Sequence, residues 1–154
     1  MVHLHLLLTH APIFFSIIGL GIVVVAAARR SSDLRVTAYS LIVLAALLTI
    51  PVYLTGEASE DTVKNLAGVV ETTIERHADA AKLSLIGSEL LGLLAVFALL
   101  SKRFAPKLMT ATTTAVLLVG AVVVLSFANT ANLGGQIRHP EIQSGSATSS
   151  LTNH

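Results

Sequence analysis

The chain contains no cysteine. That absence excludes disulfides, thiolate-bound zinc and iron–sulfur clusters as organising devices. It has no tryptophan either, so an interfacial aromatic belt is thin, with Tyr39 and Tyr53 its clearest members. Charge is scarce, at 12% of 154 residues, against about 25% in ordinary soluble domains. Net charge is only +1, which gives no electrostatic footprint for nucleic acid. What is abundant is hydrocarbon: 53% hydrophobic residues and a mean hydropathy of +0.77. The expectation is one membrane domain with the lipid bilayer as its surroundings.

Four apolar stretches predict helices that cross about 30 Å of hydrocarbon, at about 6–28, 36–54, 80–100 and 108–131. They predict an all-α, integral membrane, antiparallel four-helix bundle over residues 1–139 and a polar tail over 140–154 (QSGSATSSLTNH). The first stretch does not read as a cleavable signal, because Arg29 and Arg30 follow its apolar run instead of preceding it. The connections RRSSDLR and SKRFAPK are basic, whereas the middle one carries Glu57, Glu60, Asp61, Glu71 and Glu75 against Lys64 and Arg76. By the positive-inside rule both termini and the middle connection are expected outside the cytoplasm. Within the middle connection Val63, Leu66, Val70, Ile74 and His77 fall at helical spacing, so an amphipathic surface helix, N-capped by Ser59, is expected to run into span three. Continuing the stripe inward gives Ala81, Ser84 and Ser88. Such small residues either leave room for a flat ligand or bring helices close, the second being their usual role in membranes.

On this topology every histidine lies toward the outer face: His3, His5 and His10 at span one, His77 at span three, His139 and His154 beyond span four. In a continuous helix His5 and His10 point about 140° apart, while His3 and His10 share a face; a bend at Pro12 would relax this. A weak repeat, His10…Ile18-Gly19 and His77…Ile86-Gly87, pairs the two halves about an axis along the membrane normal. Glu89, in the middle of span three, is either a proton or quinone contact or a carboxyl bonded to Ser88 or to the threonines of TATTT.

LHLLLTHAPIFF, the TGE closing span two, ERHA and NLGGQIRH together resemble a family of small four-helix prokaryotic membrane proteins. This is a domain of unknown function with an LHPxxVHFP-like opening. The family's histidines fall on His5, His10, His77 and His139; Leu6 replaces its usual proline and Ala11 its usual phenylalanine. Related proteins carry the domain beside cytochrome c modules, which implies redox work in a prokaryotic inner or cytoplasmic membrane.

Haem b needs two axial imidazoles from different helices. His10 and His77 are the expected pair, with His139 and His5 as substitutes and Arg76 and Arg138 beside the propionates. A quinone or an extracytoplasmic electron-transfer protein is the expected partner, although no sequence feature marks a quinone site. The alternatives are a haem-free copper, zinc or iron site on the same histidines and a scaffold without cofactor. A homo-oligomer is compatible with the sequence, yet no G-x-x-x-G motif marks a dimer face.

Overall fold

A computed structural model describes residues 2–64 and 71–138. Among them all regular structure is helical: α1 (Val2–Leu8), α2 (His10–Ala28), α3 (Ser32–Glu57), α4 (Glu60–Lys64), α5 (Glu71–Phe104) and α6 (Met109–Arg138). Four stretches are long and apolar enough to cross a membrane: His5–Ala28, Ser32–Glu57, Glu71–Ser101 and Pro106–Ile137. The helices outrun the hydrocarbon expected of them because polar caps continue the backbone bonding. Ser31, for example, accepts a bond from the Leu34 amide at the start of α3.

Thr9 separates α1 from α2 only nominally. Its backbone is α-helical, with φ −54° and ψ −33°, and its amide bonds the His5 carbonyl, so the segment hardly bends despite Pro12. Of the expected surface helix, Glu60–Lys64 and the first turns of α5 are described, and Leu66 and Val70 lie outside the described residues. Ile74 is buried on the anticipated stripe while Glu71, Glu75 and Arg76 are exposed. Ser59 precedes α4, but its hydroxyl donates backward to the Thr55 carbonyl at 2.7 Å. The turn between α2 and α3 puts Arg30 in the left-handed region, φ 53°.

The buried faces mix small and hydroxylated residues such as Ala26, Ala38, Ala95 and Ser16 with a few large ones such as Ile42, Leu91 and Val116, while many large aliphatics, among them Leu93, Leu118, Val122 and Leu125, point outward. Lipid tails are as apolar as leucine, so close helix packing and hydroxyl bonds drive association in a membrane, not the sorting of apolar from polar.

Burial reveals an internal repeat. The buried set of α2 is Pro12, Ser16, Gly19, Val23 and Ala26. Adding 72 to each gives Ser84, Ser88, Leu91, Ala95 and Ala98, all buried in α5. For α3 and α6 the offset is 74: Ala38, Tyr39, Ile42 and Thr49 match Thr112, Thr113, Val116 and Val123, all buried. This register pairs His5 with His77, not His10 with His77 as the Ile-Gly motifs suggest. Matched positions also meet: Tyr39 Oη lies 3.0 Å from Thr113 Oγ1, joining α3 to α6.

Neighbours run in the order α2, α3, α5, α6 and back to α2, with long interfaces between the first three pairs and a short one between α6 and α2. The repeat makes α3/α5 and α2/α6 equivalent seams, and one pair of positions explains their difference. On α3/α5, Gly92 sits against Ala46, so closely that a Cβ on Gly92 would lie 2.6 Å from the Ala46 Cβ. On α2/α6 the counterparts are Leu20 and Gly120, where the Leu20 side chain fills the space above the glycine. Glycine against alanine lets two backbones close, whereas leucine against glycine holds them apart.

Candidate functional site

Two histidines are held in matching ways at one end of the molecule. His5, on α1, has Nδ1 2.9 Å from the Val52 carbonyl of α3 and 3.4 Å from Thr55 Oγ1. His77, on α5, has Nδ1 3.0 Å from the Thr130 carbonyl of α6. A carbonyl oxygen only accepts, so each Nδ1 carries a proton, and in the neutral ring each Nε2 keeps its lone pair. This is how a metal-ligating histidine is ordinarily oriented by its surroundings.

Four residues beyond each carbonyl stands a glycine, and the ring needs it there. A Cβ on Gly56 would approach His5 Cε1 to 2.9 Å, and a Cβ on Gly134 would approach His77 Cε1 to 3.1 Å. In each half, therefore, a carbonyl fixes one ring edge and a bare glycine admits the neighbouring carbon. The acceptor on α6 lies one turn further along than the core register of α3 and α6 requires, the offset here being 78 (Val52 to Thr130, Gly56 to Gly134).

Below His77 the second half adds a hydroxyl cluster. Ser84 Oγ lies 2.7 Å from Ser126 Oγ and 2.9 Å from Thr130 Oγ1, and Thr130 Oγ1 donates to the Ser126 carbonyl. Ser88 Oγ lies 3.0 Å from Thr49 Oγ1. The small-residue face under His77 is thus spent on helix-to-helix bonds to α6 and α3. In the first half Pro12 replaces Ser84, and His5 leans instead on Thr55, whose hydroxyl donates to the Pro51 carbonyl at 2.7 Å.

The other sequence-selected residues are placed differently. His10 is exposed, its ring edge-on to Phe14 at 6.5 Å, and His3 is exposed too. Five residues of helix rotate His10 away from the face that carries His5, and the near-continuous α1–α2 backbone leaves that rotation intact. Arg76 is exposed and adjoins His77 in sequence, and Arg138 is the last residue of α6. His139, His154 and Glu141 lie outside the described residues. Glu89 takes neither bland partner: Ser88 bonds Thr49 and Thr113 bonds Tyr39, while Glu89 Oε1 is buried with no hydrogen-bond partner among the described residues. Among those residues no three His, Asp or Glu side chains converge on one point.

Sequence reasoning missed the glycines. TGE and NLGG are visible as strings, but the role of Gly56 and Gly134 emerges only when each is seen beneath an imidazole. No protein-family model, curated protein or solved structure matches this chain.

Proposed function

We propose that the chain is an integral membrane four-helix bundle that holds a b-type haem between His5 and His77 and transfers electrons at the extracytoplasmic face of a prokaryotic membrane. One observation carries the reading: two imidazoles from different helices, each with Nδ1 tied to a backbone carbonyl and Nε2 free, stand at equivalent positions of a duplicated chain. Two such groups are a complete axial set for an iron whose other four ligands come from the macrocycle. Zinc would ask for more protein ligands than the described residues bring together. The donor set therefore fits haem better than a bare ion.

When bound, haem supplies a one-electron couple. The chain's own residues do the rest. Val52 and Thr130 fix the tautomers and ring orientations, Gly56 and Gly134 leave space at the ring edges, and Arg76 and Arg138 supply cations for carboxylates at the rim. Were His5 and His77 both to hold a haem, the chemistry it would supply is electron transfer rather than oxygen activation. The resemblance to a domain that accompanies cytochrome c modules points the same way. The basic connections RRSSDLR and SKRFAPK support an orientation with this rim and both termini outside the cytoplasm.

The test is the visible spectrum of the full chain purified after haem-supplemented expression. A Soret band that sharpens on dithionite is expected; His5→Ala and His77→Ala each abolish it and His10→Ala leaves it. His77→Met retains haem and raises the reduction potential, as methionine ligation does. A colourless preparation, or a spectrum indifferent to both alanine variants, overturns the reading. Copper, zinc or iron in the colourless protein by elemental analysis replaces it with the bare-metal alternative.

A further inference from the structure

The end of the molecule opposite the histidines gathers charge of one sign. RRSSDLR and SKRFAPK, which join α2 to α3 and α5 to α6, carry six cations against one carboxylate, Asp33. Arg35 is placed unlike its neighbours. Arg29, Arg30 and Lys107 are exposed, whereas Arg35 is half-buried and lines a narrow crevice where three helices meet. Val36 and Tyr39 of α3, Ala98 and Leu99 of α5 and Met109 of α6 line it too. Among the described residues the Arg35 guanidinium has no ion pair and no hydrogen bond. Asp33, two residues away, lies about 200° round the helix and faces elsewhere. A guanidinium set against hydrocarbon without an anion is costly, so this one is short of a partner.

We propose that Arg35 binds an anionic phospholipid, whose phosphodiester accepts from the guanidinium fork while its acyl chains lie outside along α3. Depth points to the phosphate. The apolar run of α3 begins at Val36, so Arg35 stands at the hydrocarbon boundary, about 15 Å from the bilayer midplane, beside the headgroups. Arginine matches two phosphate oxygens at once, which a lysine cannot do. The crevice is only about 10 Å³, room for one water, so the anion meets Arg35 at its mouth, from the lipid side. Exposed hydrocarbon surrounds that approach: Val36, Leu44 and Leu47 on α3, with Phe104 and Leu108 at the same end. A free phosphate would leave this surface bare, whereas acyl chains cover it. The surplus of cations then favours a headgroup with net negative charge over a zwitterion that brings its own ammonium. Neither the haem nor the sidedness of the chain enters this inference.

The test uses the full chain in dodecylmaltoside, titrated with phosphatidylglycerol or phosphatidylcholine, with bound lipid counted by native mass spectrometry. Phosphatidylglycerol should bind about tenfold more tightly than phosphatidylcholine, and a phosphatidylglycerol with a photoreactive headgroup should label the start of α3 or of α6. Arg35→Gln should weaken phosphatidylglycerol binding about tenfold, the worth of a hydrogen-bonded charge. Arg35→Lys, which keeps the charge and loses the fork, should recover only part of it. Arg29→Gln removes an equal charge outside the crevice and should cost no more than about threefold. Should Arg35→Gln fail to fold, Val36→Trp, at a side chain 41% exposed and so tolerant of bulk, blocks the same approach and should weaken binding as well. His77→Ala should bind the lipid as wild type does, with or without a Soret band. Equal binding of the two lipids, equal losses in Arg35→Gln and Arg29→Gln, labelling confined to the histidine end, or displacement of the lipid by millimolar inorganic phosphate each overturns the proposal.

Discussion

The first half of the chain, α1 to α3, and the second, α5 with α6, use the same buried positions but fill them with different chemistry. The second half is richer in hydroxyls: Ser84, Ser126 and Thr130 form a cluster where the first half has Pro12 and carbonyl contacts. Each half nevertheless places one histidine over one glycine with its Nδ1 on a carbonyl of the adjoining helix. Duplicated architecture has been kept where both copies contribute to a shared end and has diverged along the seams. Seam α3/α5 has become a tight, hydrogen-bonded contact, and α2/α6 a looser one with a groove. The difference teaches that one pair of facing positions, Gly92 with Ala46 against Leu20 with Gly120, goes with how closely two helices approach.

That comparison is open to direct attack. The largest effect is expected at Gly92. Gly92→Val must push Cβ into Ala46, where the gap is 2.6 Å between carbon positions, and should cost about 1–3 kcal/mol in detergent unfolding. Gly21→Ala, which meets nothing within 4 Å, should stay within about 0.5 kcal/mol of wild type. Equal effects would mean that the tight seam is not the organising contact. Next, transplanting the tight pair by Leu20→Gly with Gly120→Ala should draw α2 and α6 together, seen as a shorter spin-label distance between them. The serines come third and carry opposite signs. Ser88→Ala removes a bond to Thr49 and should destabilise by about 0.5–1.5 kcal/mol. Ser16→Ala removes a buried hydroxyl without a partner among the described residues and should stabilise the chain by up to about 1 kcal/mol, read from the same unfolding curve. Smallest is Tyr39→Phe, about 0.6 kcal/mol for one hydroxyl bond between α3 and α6.

Much of the helix layout was legible, because length and hydropathy set it. The expected spans at about 6–28, 36–54, 80–100 and 108–131 lie inside the observed apolar helices, which run on through polar ends that the hydrocarbon criterion ignores. Inward faces were not legible from apolarity. A side chain facing lipid is as apolar as one in the interior, so Leu93 and Leu125 give no sign that they face outward. The useful signal was the spacing of small and hydroxylated residues, such as Ser16, Gly19, Ser84 and Ser88. The Ile-Gly motifs instead suggested a register that paired His10 with His77. The rotation between His5 and His10 was readable as about 140°, yet which ring turned inward depended on whether Pro12 bent the chain. The structure keeps that segment helical through Thr9, which sends His5 toward Val52 and His10 outward.

Arg30 brings a different constraint to the same molecule. A left-handed backbone at φ 53° suits glycine, and an arginine there is less comfortable by about 1 kcal/mol. Arg30→Gly should accordingly yield a slightly sturdier folded chain. It would also remove one of the three arginines, with Arg29 and Arg35, of the basic stretch RRSSDLR, and basic stretches of this kind bias the direction in which a hairpin inserts. A residue that is second best for the finished molecule is thus well suited to the moment of its birth, and a gain in robustness there would come with a larger share of chains threaded the wrong way round.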